Sequence, residues 1–449
     1  MALTVNGDLT TGSPGKRLLR FALPIIFINL LQAVYNVADM VIIGHWADAA
    51  SMAAVSTGGQ VTTVILVVVT AIANGGTTLI GQNFSMGKTE NIKRLVGTMY
   101  SFVLVIALVL TVLGLAFASP LLRMLNIPDE SYVSAMWYLC ICVAGTAAVY
   151  SYNVFYAVLR GIGESDTPLR IMIITTVENI VLDLLLVAVI PLGAAGAAAA
   201  TVASQITSAV LIGRRVCKLG YFSFKSGWFG AKKAVLDPLM RICTPQVLQM
   251  LLTNSSFMLI GGIVNIFGVD CAAAAGAVTK IWNFTVLSGQ AMMAALITVS
   301  AQNCAKGAYG YVLRAFFAGA ALTACIGAVF TLLGELCPGF MLGLFTDDSA
   351  VVAAGITYLR YFAIGFIVEN IMFCLFGVLT GSGHTMVPFV CATISAYLIR
   401  YLLAWVFSHL TPLGFNGIGI AYSIAPFVSA FICSAYIASG RWKRANIKF

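Results

Sequence analysis

The sequence predicts an all-α membrane protein whose twelve transmembrane helices form two pseudo-symmetric lobes of six helices. Three observations predict this fold class. Of the 449 residues, 60% are hydrophobic and only 9% are charged, whereas about 25% of the residues in a typical soluble domain are charged. Twelve apolar stretches are each long enough to cross a bilayer, which takes about 20 helical residues. The second half of the chain also repeats motifs of the first half.

The twelve apolar stretches are separated by segments rich in Gly, Pro, Asn and Asp, which favour turns. Their predicted bounds are near 17–43, 52–83, 92–118, 132–160, 168–190, 194–216, 236–266, 272–304, 312–334, 350–379, 387–409 and 417–439. The first stretch exceeds the apolar core of a signal peptide, which has about 7–15 residues. We therefore expect it to remain as the first span.

The distribution of charge predicts the orientation. The chain carries 25 Lys and Arg against 16 Asp and Glu, a net charge of +9. If the spans alternate from a cytoplasmic N-terminus, most basic residues fall in cytoplasmic loops, as the positive-inside bias requires. We therefore expect a multi-pass protein of the plasma (inner) membrane with both termini cytoplasmic. The charge is explained by topology, so we expect no nucleic-acid partner.

Four motifs recur in the same order about 220 residues further along the chain. The pairs are Pro24 with Pro245, Gln82-Asn83 with Gln302-Asn303, Gly161-Ile162-Gly163 with Gly381-Ser382-Gly383, and Pro191-Leu192-Gly193 with Pro412-Leu413-Gly414. Each copy holds six spans, so both copies have the same orientation in the membrane. The predicted lobes are 1–216 and 235–449, joined by a basic cytoplasmic linker at 217–234.

Seven ionisable residues remain at the predicted membrane depth: Asp39, Glu178, Asp183, Lys280, Glu369, Arg360 and Arg400. A charged side chain near the bilayer centre costs about 2.5–3.5 kcal/mol on insertion scales, which makes each residue a functional candidate. The alternative for each is a structural ion pair, or a long side chain that reaches the interface.

Asn179 and Asp183 are four residues apart and share one face of the fifth span, a spacing that favours a cation site. Asp39 lies in the middle of the first span without a basic residue within a turn. Glu178 is five residues before Asp183 and belongs to another stripe of the helix. An acid outside the Asn179–Asp183 stripe is equally compatible with helix packing.

Two interpretations remain open for Glu369, and two for Pro24. Glu369 is a candidate for coupling or substrate contact, or it forms a buried ion pair with Lys280 or Arg400. Pro24 is a candidate hinge, because a proline inside a helix leaves one carbonyl without its donor. A proline in the first helical turn would instead only begin the helix.

Several classes of function are disfavoured. The sequence has no Walker A loop and no constellation of nucleophile and base, so we expect neither ATP hydrolysis nor an enzyme. Eleven scattered cysteines and three histidines do not form a metal-ligand pattern. We expect no cofactor other than a coupling ion. Oxygen-bearing side chains buried in one of two parallel halves are typical of ion-coupled alternating access.

The motifs resemble those of a known family. Leu23-Pro24, Asp39 before Ile43-Gly44, Gly81-Gln82-Asn83 and Leu159-Arg160-Gly161-Ile162-Gly163, on a repeat of six plus six spans, resemble the multidrug and toxic compound extrusion (MATE) transporters over essentially the whole chain. The resemblance implies a cation-coupling site in the N-lobe at Asp39, Asn179, Asp183 and Thr201, which would also be the metal ligands if the ion is Na⁺.

A second branch of the family has acids in the seventh and tenth spans. Glu369 matches the tenth-span position, but residues 253–256 contain no acid. The resemblance therefore favours the N-lobe site and leaves Glu369 as a candidate substrate contact.

The predicted function is a secondary active antiporter that exports amphipathic, cationic organic compounds in exchange for H⁺ or Na⁺. Its expected partners are small-molecule drugs or metabolites and the lipid bilayer, and we expect a monomer. The alternative is a lipid-linked precursor flippase of related architecture, which would need a cavity rich in Arg and Lys for a pyrophosphate group. A channel is disfavoured because no segment is typical of a selectivity filter.

Overall fold

The computed structural model describes residues 7–124, 127–223, 230 and 233–444. These residues form seventeen α-helices and no strand. The helices are α1 Pro14–Trp46, α2 Ala49–Ser85, α3 Thr89–Ala116, α4 Ala118–Met124, α5 Asp129–Ala144, α6 Thr146–Gly161, α7 Asp166–Asp183, α8 Gly193–Lys218, α9 Lys233–Asn265, α10 Val269–Ala305, α11 Tyr309–Leu336, α12 Pro338–Gly343, α13 Ser349–Ala363, α14 Phe366–Gly381, α15 Met386–Thr393, α16 Leu402–His409 and α17 Phe415–Ala438. Two π-helical segments, Leu184–Val189 and Ile394–Tyr401, continue α7 and join α15 to α16.

The helices confirm the predicted fold class. Ten continuous helices are long and apolar enough to cross a membrane, and two further pairs qualify when each pair is taken as one span. The pairs are α5 with α6, bent by 42°, and α13 with α14, bent by 46°. The sequence predicted each pair as one uninterrupted span. It also did not predict the short helices α4 and α12. Part of the predicted linker at 217–234, namely 224–229 and 231–232, lies outside the described residues.

Close helix packing at a glycine accompanies both bends. A Cβ atom on Gly145, between α5 and α6, would lie 2.5 Å from a Val202 side-chain carbon of α8. A Cβ atom on Gly365, between α13 and α14, would lie 2.9 Å from the Ser423 Cα of α17. Only glycine leaves room for this approach, so the two bends are one structural feature present in both copies.

The Pro-Leu-Gly motifs form equivalent turns. Gly193 and Gly414 have φ angles of 55° and 52°, a left-handed conformation that glycine adopts without strain. Three residues later the chain packs against the helix before the turn. A Cβ atom on Gly196 would lie 2.8 Å from the Leu186 carbonyl oxygen, and one on Gly417 would lie 2.6 Å from the Phe407 Cβ. The sequence repeat is thus also a repeat of packing contacts.

The chain divides into two compact units. Leu23–Met240, with residues 7 and 8, belongs to the first unit, whereas Leu9–Ala22 and Arg241–Arg444 belong to the second. In the second unit, Gln302 accepts a hydrogen bond from the Leu9 amide at 3.0 Å, and Asn303 donates one to the Leu9 carbonyl at 3.1 Å. These bonds explain why Leu9–Ala22 does not group with residues 23–216, as the predicted lobe of 1–216 assumed. The repeated Gln-Asn motif therefore has a structural role in the second unit.

Substitution of Gly417 by alanine is expected to destabilise the protein. The added methyl group would overlap Phe407, and overpacking of this kind typically costs about 1–3 kcal/mol. Gly276→Ala in α10 is the matched control, because nothing lies within 4 Å of its Cβ position. Thermal unfolding of the purified protein should show a lower midpoint for Gly417→Ala and an unchanged or higher midpoint for Gly276→Ala. Equal midpoints would contradict the packing argument.

Candidate functional site

The seven ionisable residues at membrane depth differ in their exposure. Asp183, Glu369 and Arg400 are buried, Asp39 and Glu178 are half-buried, and Lys280 and Arg360 are exposed. The buried groups lie in two separate places, Asp183 in the first unit and Glu369 with Arg400 in the second. Each place is therefore considered by itself.

In the first unit, one amide connects two acids from different helices. Asn179 of α7 is fully buried. Its amide nitrogen faces two carboxyl groups and donates to Asp39 Oδ1 of α1 at 3.0 Å and to Asp183 Oδ2 at 3.2 Å. The amide orientation follows from these partners, because the nitrogen can donate and the carboxyl oxygens can accept. The structure thus brings together three of the four residues that the sequence singled out.

The packing of the surrounding helices explains why these three side chains lie close together. Asn179 and Asp183 are one turn apart at the end of α7, and the π-helical segment Leu184–Val189 begins at the next residue. Ile42 and Ile43 of α1 form an apolar cluster with Val187 of that segment and Ala197 of α8. This cluster holds α1 against α7 and α8 one turn beyond Asp39. The acid therefore reaches the Asn179 amide.

Thr201, the fourth predicted residue, lies at the edge of the site. Its hydroxyl accepts a hydrogen bond from the Tyr35 hydroxyl at 3.0 Å. Within the described chain, no hydrogen bond joins Thr201 directly to Asp39 or Asp183. Tyr35 is one helical turn before Asp39 on α1. This spacing is the sequence signal that could have assigned Tyr35 to the site. Tyr35 was not among the four residues predicted for the site.

Side chains from α2 and α5 extend this region. Tyr138 and Cys142, one turn apart on α5, contact each other, and Thr62 of α2 also contacts the Cys142 thiol. Gly58 of α2 lies directly against the Tyr138 ring, so a larger residue at position 58 would displace that ring. Cys142 and Thr62 were not predicted, because they come from helices without a charged residue at membrane depth.

The two acids repel each other unless a positive charge lies nearby. The two carboxyls share one amide nitrogen and also interact directly with each other. Two negative charges this close repel each other, and the repulsion is stronger because Asp183 is buried and Asp39 is half-buried. The described residues include two ion pairs, Lys93–Glu90 and Arg215–Glu164, and neither contains Asp39 or Asp183. The site therefore suits a mobile positive charge, either a proton on one carboxyl or a small cation between the two.

The type of ion depends on which atoms face the acids. Na⁺ would need oxygen ligands, which both carboxyls and the Thr201 hydroxyl can supply. In the orientation assigned from its partners, Asn179 presents its N–H groups, so its oxygen becomes a ligand only if the amide turns over. No group of three or more His, Cys, Asp or Glu side chains with metal-binding geometry occurs in the described part of the chain.

Glu178 does not join the acid pair. It accepts a hydrogen bond from Thr207 of α8 at 2.8 Å. Its side chain is half-buried and lies on another stripe of α7 than Asn179 and Asp183, as helical periodicity predicts. This acid therefore serves as a control for experiments on the pair.

In the second unit, Glu369 of α14 accepts a hydrogen bond from Trp282 Nε1 of α10 at 2.7 Å. Arg400 lies near Glu369 but forms no ion pair with any carboxylate of the described chain, and neither does Lys280, which lies over the Phe345 ring. No direct ion pair of Glu369 is therefore present in the described chain, although Arg400 acts on it electrostatically, and its pairing stays a prediction. Pro24 lies inside α1, so its interpretation as a first-turn residue was wrong.

Substitution of Asn179 by leucine is expected to destabilise the protein by leaving two carboxyls without their shared donor. A buried acceptor that loses its hydrogen bond costs about 1–3 kcal/mol, and more if it is charged. The loss should be smaller in an Asp39→Asn background, where only one acid needs the donor. Thermal unfolding of the single and double variants measures this coupling.

Asn153→Leu is the matched control, because among the described residues that amide donates only to the Val149 carbonyl of its own helix. A small effect is expected there. If Asn179→Leu lowered the unfolding midpoint equally with and without Asp39, the amide would not act on the acid pair.

A comparison with known protein families matches each copy of the repeat separately. The family model described as MatE matches residues 24–185 and again residues 245–406, so each copy of the repeat matches once. The chain is 27% identical over 450 residues to the probable multidrug resistance protein YpnP of Bacillus subtilis, with 98% of each chain covered. It is 25% identical over 435 residues to the probable multidrug resistance protein YoeA of the same organism, which covers 95% of this chain and 94% of the relative.

Among solved structures, the fold is similar to that of a MOP superfamily transporter from Pyrococcus furiosus. The TM-score is 0.92 at 20% sequence identity, and the match covers 98% of this chain and 99% of the other. At this identity the likeness supports the fold, whereas the chemistry of the site must be argued from the residues of this chain.

Proposed function

The chain belongs to the MATE family of membrane transporters, and we propose that it is a secondary active antiporter exporting amphipathic, cationic organic compounds in exchange for H⁺ or Na⁺. The names of its relatives, which are described as multidrug resistance proteins, support this class of substrate. The single observation that carries the proposal is the Asn179 amide shared by Asp39 and Asp183. This is an acid pair that needs a mobile positive charge.

The mechanism follows from that need. When H⁺ or Na⁺ occupies the pair, the repulsion between the carboxyls is relieved and α1 can stay close to α7. When the ion leaves, the charged state favours another arrangement of the same helices, and binding of the exported compound biases this equilibrium. Linkage requires that ion and substrate weaken each other's binding by the same factor.

The proposed orientation places both termini in the cytoplasm of a plasma-membrane protein. The basic residues at the end of α8, Arg214, Arg215 and Lys218, would then lie at the cytoplasmic surface, in agreement with the positive-inside bias. The chain would act as a monomer, because each proposed ion ligand comes from the first unit of a single chain.

The flippase alternative has less support. A pyrophosphate cargo would need several cationic side chains directed at one cavity. Of the three basic residues considered, only Arg400 is buried.

Transport assays test the coupling role of the acid pair. In inverted vesicles with imposed H⁺ or Na⁺ gradients, Asp39→Asn or Asp183→Asn is expected to reduce accumulation of a cationic dye by about 5- to 150-fold. This is the range that a coupling free energy of 1–3 kcal/mol spans. Glu178→Gln should transport at nearly the rate of the unaltered protein, because Glu178 lies outside the pair.

Imposing the two gradients separately identifies the ion. The gradient that drives accumulation in the unaltered protein, and fails to do so in the Asp39 and Asp183 variants, is the coupling gradient. Undiminished gradient-driven transport by both variants would refute the proposal.

The proposed hinge is Pro24. Its ring removes the donor that the Arg20 carbonyl would otherwise use in α1. The chain also passes from the second compact unit to the first between Ala22 and Leu23. A weakened turn is therefore present where α1 changes from one packing environment to the other.

Pro24→Ala is expected to slow transport several-fold while leaving thermal stability unchanged or raised, because alanine restores the missing hydrogen bond. The matched control is Pro426→Ala, which alters another buried proline inside a helix, α17. The control should keep its transport rate in the vesicle assay. Equal slowing in both variants would mean that any helix proline matters and would reject a specific hinge at Pro24.

A further inference from the structure

The second unit contains a buried cation whose hydrogen-bonding capacity is unmet. Arg400 is 7% exposed, and its Nε and Nη1 atoms have no hydrogen-bond partner among the described residues. An arginine remains charged under all ordinary conditions, and a buried, unpaired donor is costly to maintain. Such an exception requires an explanation, and a bound ligand is one.

Two aromatic rings lie beside the guanidinium. Its central carbon lies 4.7 Å from the Phe257 ring centre and 5.2 Å from the Tyr422 ring centre. The cation lies over the faces of these rings, whereas its N–H bonds lie in the guanidinium plane. A further polar partner must therefore approach along the edge of the guanidinium, where the free donors are.

Glu369 does not satisfy those donors. It is near enough to interact electrostatically with Arg400, but one of its oxygens, Oε2, already accepts the Trp282 hydrogen bond. The groups without partners are therefore N–H donors. This observation favours an anionic or strongly accepting ligand over a second cation.

Half-buried rings provide an apolar surface beside these donors. The Phe257 ring lies 5.3 Å from the Trp282 ring and 5.8 Å from the Tyr422 ring, measured between centres. All three rings remain partly exposed. Aromatic surfaces of this kind favour offset or edge-to-face stacking with another ring.

The helix that carries Arg400 is itself irregular. Arg400 lies in the π-helical segment Ile394–Tyr401, and such segments occur often at functional sites. Two hydrogen bonds tie this segment to α9: Ser256 donates to the Ala396 carbonyl at 2.9 Å, and Ser255 shares one with the Tyr397 hydroxyl at 2.5 Å. The segment is therefore held in place without any contact that consumes the Arg400 donors.

From these observations we propose that Arg400, beside Phe257 and Tyr422, forms a subsite that binds the carboxylate of an aromatic ligand. Guanidinium groups bind carboxylates through paired, charge-assisted hydrogen bonds. The inference rests on the proposed transport function for its biological meaning, since the subsite would hold the carboxylate of an exported aromatic compound. The binding event itself requires no ion gradient.

Equilibrium binding of 1-naphthoate to the purified full-length protein in nanodiscs tests the subsite. Calorimetry should detect binding to the unaltered protein, and Arg400→Gln should weaken it by about 10- to 100-fold, as expected for loss of a charge-assisted pair. Arg400→Lys should weaken it less, because the charge remains while the fork is lost. Arg360→Gln, which alters an exposed arginine of the same unit, should bind as the unaltered protein does.

Two further arms keep the test decisive. The uncharged analogue 1-naphthamide should bind weakly and equally to all variants, and Phe257→Leu should weaken naphthoate binding while Arg400 remains. Unchanged naphthoate affinity in Arg400→Gln, or equal affinity of the unaltered protein for naphthoate and naphthamide, would overturn the proposal. If Arg400→Gln does not fold, the Phe257→Leu and naphthamide results decide.

The result of the naphthoate-binding test can be distinguished from the result of the transport test of the proposed antiport. Asp39→Asn is expected to bind naphthoate normally although its transport is impaired, because Asp39 lies in the other unit. Binding without coupled transport would retain the subsite and reject the antiporter. Coupled transport without naphthoate binding would retain the antiporter and reject the subsite.

Discussion

The interaction on which the first unit depends is the contact of two carboxyls with one buried amide. Asp39 and Asp183 come from different helices, and a carboxylate withdrawn from water, as Asp183 is fully and Asp39 is in part, needs a donor or a positive charge nearby. The Asn179 amide supplies one hydrogen bond to each acid, which leaves the surplus negative charge to a proton or a cation. The apolar cluster at Ile42 and Ile43 holds α1 near enough for this arrangement to exist. Packing and electrostatics are therefore interdependent here, and a change in the charge of the site acts directly on the position of α1.

Much of the fold could be predicted from the sequence because its causes are local. Apolar length determines the spans, and the four-residue spacing of Asn179 and Asp183 places both on one face of α7. The bends at Gly145 and Gly365 could not be predicted, because they depend on the approach of α8 and α17, which are distant in sequence. The place of Leu9–Ala22 in the second unit likewise depends on hydrogen bonds with residues almost 300 positions away.

The environment of Arg400 could not be predicted from the sequence, for a different reason. A period of 3.6 residues assigns faces correctly only while the helix remains α-helical, and Arg400 lies within a π-helical segment. The face of α7 could be assigned because its π-helical segment begins only after Asp183. The two copies thus share packing at Gly196 and Gly417 but differ in polar chemistry. Arg400 lies within one residue of the repeat position of Asn179, so where one copy has a neutral amide between acids, the other has a cation among aromatic rings.

The path of the chain between the two compact units has a mechanical consequence. After Leu9, the chain changes unit within α1, between Ala22 and Leu23, and within α9, between Met240 and Arg241. A loop at such a place would contain slack. A helix has a fixed rise of about 1.5 Å per residue, so it contains almost none except where a hydrogen bond is missing, as at Pro24. A bend or a rotation of α1 at Pro24 is therefore carried along the rest of the helix to the turn that carries Asp39.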